Sequence, residues 1–185
     1  MRGYLARSKF NKIMQRKKQI EYLQPSKYFT CEEAAETIMQ GRKVTKATES
    51  KKYTYRCSGA VYDGKWLGGF RHGQGSITWS DGTKYIGEWN YGQPCKKGKI
   101  SYTTGDYYEG GWANNKRCGS GTSLHVGGSI YTGKWLNGLQ HGYGHESWKN
   151  SNEGGEYKGY YRLGMKDGEG IYTWKDGSVY EGNWS

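Results

Sequence analysis

The sequence has few aliphatic residues and no long apolar run. Hydrophobic residues account for 34% of its 185 residues, and the mean hydropathy is -1.02. The lack of an apolar run excludes a transmembrane helix, and no hydrophobic segment of a signal peptide follows the first basic residues. Four cysteines in a chain without an export signal predict reduced thiols rather than a disulfide framework. We therefore expect an intracellular protein.

The sequence also lacks the signatures of common catalytic sites. It contains no nucleophile elbow, no zinc-protease motif and no protein-kinase motif. These absences predict a protein that is not an enzyme and that has no cofactor or metal.

Glycine and aromatic residues take the place of the missing aliphatic residues. The chain has 31 Gly, 18 Tyr and 8 Trp. Apolar burial must therefore come from aromatic rings set in a glycine-rich backbone, which predicts a thin sheet rather than a thick aliphatic core.

The aromatic residues recur with a period of 23 residues. Six tyrosines are separated by 23, 23, 23, 26 and 23 residues, and each begins the phrase Tyr-x-Gly-x-Trp, with Tyr161 in place of one Trp. Alternate residues lie on one face of a strand, so the rings are expected to form an aromatic ladder across a sheet. The predicted ladder residues are Tyr62, Trp66, Tyr85, Trp89, Tyr108, Trp112, Tyr131, Trp135, Tyr157, Tyr161, Tyr180 and Trp184.

A second phrase, close to Gly-x-Gly, and then a turn pair follow most of the Tyr-x-Gly-x-Trp phrases. Turn pairs of this kind between β-favouring runs predict two-residue hairpin turns with positive φ at both positions. The sequence thus predicts a succession of β-hairpins. The predicted turns are Asp81-Gly82, Thr104-Gly105, Gly127-Gly128 and Asp176-Gly177.

Residues 53–185 closely resemble the MORN (membrane occupation and recognition nexus) repeat family, as a half-repeat, five repeats and the start of a sixth. The resemblance implies an open, single-layer antiparallel sheet whose ladder lines an aromatic groove for a protein partner, in a ciliary or cytoskeletal assembly. The strand that begins at Tyr180 leaves a sheet edge, which we expect further repeats or a partner to cover. Lys96, Asn115 and an insertion within residues 149–156 depart from the family pattern and change the expected groove rather than the fold.

The net charge of +11 is concentrated before the repeats. Residues 1–56 carry 14 basic and 5 acidic residues, whereas residues 57–185 carry 14 and 12. The array is therefore not expected to attract nucleic acid, and any attraction to an acidic partner belongs to the N-terminal arm. We predict a basic amphipathic helix at 1–22 and a linker at 23–52 with a short helix at about 31–40.

The N-terminal arm has two interpretations. Arg2-Gly3-x-x-x-Arg7-x-x-Phe10 resembles the second half of an IQ motif. This resemblance implies a calmodulin-like EF-hand partner that takes Phe10 into an apolar pocket and meets Arg2 and Arg7 with its acidic residues. The other interpretation is a generic basic helix that contacts an anionic surface. Its contact residues are Arg16, Lys17 and Lys18.

Two functions of different classes remain open. The first is a non-enzymatic scaffold in the cytoplasm, cytoskeleton or cilium, with a protein partner in the aromatic groove and a calmodulin-like partner on the N-terminal helix. The alternative is a phospholipid-binding or regulatory module of a larger protein, since plant phosphatidylinositol phosphate kinases resemble this arrangement. The charge distribution would assign such membrane binding to residues 1–18.

Overall fold

The structure is a computed structural model that describes residues 28–29, 50–148 and 154–185. Within these residues the chain forms one open sheet of 12 antiparallel strands in chain order, which confirms the predicted mainly β fold. The first strand begins two residues before the predicted start of the array. The strands are β1 (Lys51–Thr54), β2 (Val61–Leu67), β3 (Phe70–Thr78), β4 (Lys84–Asn90), β5 (Gln93–Ser101), β6 (Tyr107–Ala113), β7 (Lys116–Leu124), β8 (Ser129–Leu136), β9 (Leu139–Trp148), β10 (Gly155–Arg162), β11 (Met165–Trp174) and β12 (Val179–Trp184).

The strands alternate between buried and exposed residues as the Tyr-x-Gly-x-Trp phrase predicts. In β4, Tyr85, Gly87 and Trp89 are buried, whereas Lys84 and Ile86 are exposed and Glu88 is half-buried. Successive side chains of a strand point to opposite faces, so the phrase places all of its rings on one side of the sheet.

A row of glycines crosses the sheet beside these rings. Gly64 faces Gly75 across the β2–β3 pair, and Gly75 faces Gly87 across the β3–β4 pair. The row leaves a strip of bare backbone on which neighbouring side chains can lie. It continues through Gly98, Gly110, Gly121, Gly133, Gly144, Gly159, Gly170 and Gly182.

The predicted turn pairs form longer loops than expected. At Asp81-Gly82 only Gly82 has a positive φ, and its N–H donates to the carbonyl of Trp79 at 2.9 Å. This is a type I turn followed by a left-handed glycine, which makes a three-residue loop. The prediction of two-residue turns with positive φ at both positions is therefore wrong here. The same holds at Gly105, Gly128 and Gly177.

The two-residue turns lie at the opposite ends of the hairpins. Leu67 pairs directly with Phe70, so only two residues connect β2 to β3. Both residues have positive φ in each of these turns, including Tyr91 and Leu163, for which this conformation is uncommon. The turns are Gly68-Gly69, Tyr91-Gly92, Asn114-Asn115, Asn137-Gly138 and Leu163-Gly164.

The predicted helical arm at 1–22 and the short helix at about 31–40 lie outside the described residues. Most of the predicted insertion, residues 149–153, lies outside them as well. In the part of the chain that is described, no helix has the length and apolar character needed to cross a membrane.

Candidate functional site

One side of the sheet, here called the aromatic face, carries the rings of the predicted ladder. Each ladder tyrosine meets the ring that ends its own phrase and, up to Tyr157, the corresponding ring of the next phrase, at centroid distances of 5.0–5.5 Å and nearly perpendicular planes. Edge-to-face packing of this kind is a favoured arrangement of aromatic rings. All ladder residues are buried except Trp66, Tyr180 and Trp184, which are half-buried. The ladder is the core of the sheet, and direct contact of its rings with a partner stays a prediction.

Each ladder tyrosine from Tyr62 to Tyr157 lies across a pair of facing glycines, and Tyr180 lies against Gly182. A Cβ added at Gly75 would lie 2.6 Å from Cζ of Tyr62, so no side chain fits there without moving the ring. The Tyr62 hydroxyl donates at 2.9 Å to the carbonyl of Lys65, next to a register shift between β2 and β3. Burial raises the pKa of Tyr62, and the phenol is therefore neutral. The same hydroxyl bond recurs from Tyr85, Tyr108, Tyr131, Tyr157 and Tyr180.

The ladder tryptophans donate their indole N–H to backbone carbonyls. Trp89 donates to Gly75 at 3.1 Å, and Trp135 donates to Gly121 at 3.1 Å. Tyr161, the substitution in the ladder, instead donates its hydroxyl at 3.0 Å to Oε2 of Glu146, which is 4% exposed. Burial is the main cause of the raised pKa of Tyr161, and the neighbouring Glu146 carboxylate raises this pKa further. The substitution is thus matched by a buried carboxylate.

Between the ladder tyrosines, one position in each repeat differs in chemistry. Across the sheet Tyr85 pairs with Ile77 on one side and with Ile100 on the other, and the alternation continues through later repeats. The backbone and the ladder are similar around each of these positions. The side chain at each position therefore sets the local chemistry of the aromatic face. It changes from apolar on β3 and β5 to polar on β7 and β9. We call these residues the variable row: Ile77, Ile100, Ser123, Glu146 and Tyr172.

Basic side chains stack on the ladder at another position of the repeat. The guanidinium carbon of Arg71 lies 4.5 Å from the ring centre of Trp89, and that of Arg117 lies 5.1 Å from Trp135. Lys166 Nζ lies 4.5 Å from the ring centre of Tyr157. Such cation–π contacts are strongest where water is excluded, and Arg71 is only 4% exposed. Sequence reasoning missed these residues, although their shared repeat position was a usable signal.

A chain segment from outside the sheet lies on the aromatic face. Phe29 is 8% exposed, and its ring packs edge-on against the sheet at centroid distances of 5.4–6.1 Å. The rings that surround it, here called the Phe29 seat, belong to Trp79, Tyr85, Trp89 and Trp112.

The neighbouring residue Tyr28 adds directed bonds to this packing. Its hydroxyl donates at 2.8 Å to Oδ2 of Asp81 and accepts at 3.2 Å from Oγ1 of Thr83. Its ring lies 5.0 Å from Trp79 and 5.8 Å from Tyr102. The sequence interpretation overlooked Tyr28-Phe29, for which the only signal was an adjacent aromatic pair within a polar stretch.

A cavity of about 300 Å³ opens beside Tyr28 and extends toward β7, β8 and β9. Its lining is mixed and includes Tyr102, Arg117 and Glu146. Ser123 of the variable row also lines it, and the short side chain of this serine leaves room where Ile77 and Ile100 fill the face in earlier repeats.

The other predicted contact residues fall into two groups. The IQ-like residues and the basic cluster lie outside the described residues: Arg2, Gly3, Arg7, Phe10, Arg16, Lys17 and Lys18. The predicted sheet edge is β12, the last strand in the sheet order, and a partner there stays a prediction. Among the described residues, no group of three or more His, Cys, Asp and Glu side chains is arranged to hold a metal ion.

The hairpin order, the glycine row and the ring ladder define a β-hairpin repeat protein. The MORN repeat family matches the chain at residues 62–84, 85–107, 108–129, 131–153 and 157–179. The chain therefore belongs to the MORN repeat family, as the sequence predicted. The repeat is a non-catalytic module, and no enzyme family is indicated. It provides a repeat-based module for interaction or membrane binding.

One solved structure that the comparison matched to this chain is the TCP domain of SAS-4 (dCPAP) of Drosophila melanogaster, in complex with a proline-rich motif of Ana2 (dSTIL). It is 13% identical to this chain, with a TM-score of 0.37, over 77% of this chain and 89% of that one. A comparison with curated proteins found no match.

Proposed function

We propose that the array is an interaction scaffold whose aromatic face binds a segment of a partner protein. The observation that carries this proposal is the burial of Phe29. A side chain from outside the sheet is only 8% exposed and packs against four rings that the repeats supply. The face therefore has the shape and the chemistry to hold an aromatic residue of a polypeptide.

The polar groups around the Phe29 seat also suit a peptide ligand. Asp81 and Thr83 fix the position of a hydroxyl at the rim, and the adjacent cavity brings together Arg117 and Glu146. Binding sites that combine an apolar floor with a few placed polar groups gain affinity from the first and specificity from the second.

Selection of a peptide library on the full-length chain tests this proposal. Selected peptides should lose most of their affinity for a Tyr102→Ala variant, because Tyr102 contacts Tyr28 beside the seat and lines the cavity. They should bind an Ile86→Ala variant normally. Ile86 is 51% exposed on the opposite face of the sheet and is the matched control. Equal losses at both positions, or at neither, would contradict binding on the aromatic face.

We further propose a ciliary or cytoskeletal setting, with a calmodulin-like protein on the N-terminal arm. The IQ-like pattern around Arg2 and Phe10 supports the second partner. Calorimetry of the full-length chain with calmodulin should show binding that Phe10→Ala weakens strongly. If the arm binds anionic lipid instead, Phe10→Ala should have little effect on binding to anionic liposomes. Neutralising Arg16, Lys17 and Lys18 should then weaken liposome binding by roughly 1 kcal/mol per charge. No heat with calmodulin rules out the IQ interpretation.

A further inference from the structure

We propose that Tyr28-Phe29 is an internal ligand that competes with the partner, and that the partner places an aromatic side chain of its own in the Phe29 seat. This inference rests on the proposed function and specifies both the ligand chemistry and its regulation. The chain's own occupant defines the chemistry: an aromatic ring in the seat, preceded by a residue with a hydroxyl at the rim.

The seat is formed by residues of the repeats alone. Trp79 directly follows β3, Tyr85 and Trp89 lie on β4, and Trp112 lies on β6. Tyr85 contacts both Trp89 and Trp112 through the ladder, so these three rings do not depend on Phe29 for their arrangement, whereas the ring of Trp79 packs against Tyr28 and Phe29. A seat that exists without its internal occupant is open to a ligand of the same chemistry.

Tyr28-Phe29 leaves one buried polar group of the seat without a hydrogen-bond partner in the part of the chain that the structure describes. Trp79 is 7% exposed, and within the described residues its buried indole N–H has no acceptor, unlike the N–H groups of Trp89 and Trp112. A buried donor without an acceptor is costly, so a ligand with a carbonyl or carboxylate oxygen near Trp79 binds better than Tyr28-Phe29 does. Such a partner segment can replace the internal one.

The cavity beside Tyr28 gives a second advantage to a partner segment. Residues that flank the aromatic pair of a longer ligand can enter this space of about 300 Å³ and reach Ser123 and Gln140, which line it. Tyr28 itself only forms part of the cavity wall. The partner is therefore a segment in which an aromatic anchor is accompanied by residues that fill this polar space.

Competition within one chain sets the expected size of the effect. An internal ligand acts at an effective concentration that is typically in the millimolar range. An external ligand can bind only while the seat is free, so its apparent affinity is its intrinsic affinity multiplied by the fraction of time that the seat is free. If the seat is occupied more than about nine-tenths of the time, removing Phe29 raises the affinity of an external ligand at least about tenfold.

The test uses a fluorescein-labelled peptide with the sequence of residues 24–34, carrying Cys31→Ser, titrated by anisotropy against full-length chains. We expect the Phe29→Ala protein to bind this peptide at least about tenfold tighter than the unmodified protein does. A peptide that carries Tyr28→Ala and Phe29→Ala should bind neither protein. A Tyr28→Phe protein, which keeps both rings but loses the bonds to Asp81 and Thr83, should show an intermediate gain.

Affinities of the unmodified and Phe29→Ala proteins within twofold of each other would overturn the inference, and so would a lack of peptide binding to Phe29→Ala. Melting curves of both proteins show that the sheet remains folded. The library peptides separate this inference from the proposed function. If they require Tyr102 but bind the unmodified and Phe29→Ala proteins equally, the scaffold function holds and the internal competition is refuted.

Discussion

Replacing Gly75 with alanine tests whether glycine is required in the glycine row because the tyrosine rings lie against it. The three atoms nearest to an added Cβ all belong to Tyr62, and Cζ would be 2.6 Å away. The ring must then tilt away from the sheet and give up its hydroxyl bond to Lys65. Overpacking costs about 1–3 kcal/mol and a lost hydrogen bond about 1 kcal/mol, so we expect Gly75→Ala to destabilise the array by about 2–4 kcal/mol.

A double-mutant cycle isolates the contact between the ring and the glycine. In a Tyr62→Ala background the obstacle is gone, and Gly75→Ala should be close to neutral, or stabilising by about 0.5–1 kcal/mol, because alanine suits a strand better than glycine does. Urea unfolding followed by tryptophan fluorescence measures the four proteins of the cycle.

Gly119 provides the matched control. It has a φ of 73°, and no atom lies within 4 Å of an added Cβ. Gly119→Ala should cost about 1–2 kcal/mol through backbone strain alone, equally with and without Tyr108 in the same repeat. If Gly75→Ala lowers the free energy of unfolding as much in the Tyr62→Ala background as in the natural one, the Tyr62 ring is not the reason that glycine is required at position 75.

Three further predictions concern the ladder. Trp135→Ala should cost about 3–5 kcal/mol in urea unfolding, and Trp184→Ala clearly less, because Trp135 is 2% exposed and Trp184 is half-buried; equal costs would contradict this. Tyr161→Phe should cost about 1.5–3 kcal/mol because the buried Glu146 loses the hydroxyl of Tyr161 as a donor, and an unchanged urea midpoint would refute that role. Burial raises the pKa of Tyr157 from 10.0 to about 12, so its contribution to stability is complete below pH 10 and is lost as the pH rises through 12; a urea midpoint that already falls below pH 10, or phenolate absorbance that develops fully near pH 10, would argue against it.

The sheet could be predicted because its determinants are local and periodic. Tyr, Gly and Trp at alternate positions lie on one face of a strand. This phrase recurs from Tyr62 to Tyr180, at intervals of 23 residues except for one of 26. The neighbour-only strand order then follows from short connections.

The turns were harder to predict because their residues are ambiguous. Asp81-Gly82 fits a two-residue turn and the last two positions of a three-residue loop equally well, and only the backbone decides between them. Leu163 carries no sequence signal for a positive φ; the register of the hairpin around it imposes that conformation.

The occupant of the aromatic face could not be predicted because its contact is distant in sequence. Phe29 reaches Trp112 across more than eighty residues, outside any repeat, and no periodicity connects them. Likewise, Glu146 could be identified as the partner of Tyr161 only after the register had placed β9 beside β10.

The variable row has a consequence for how such arrays diverge. Isoleucine, serine, glutamate and tyrosine occupy the same position of one backbone at Ile77, Ser123, Glu146 and Tyr172, each flanked by ladder tyrosines. A duplicated repeat can therefore acquire a new preference through a substitution there while its Tyr-x-Gly-x-Trp phrase stays the same. A glutamate at this position also needs its hydroxyl donor, so Glu146 and Tyr161 would have to be moved together to relocate specificity along the array.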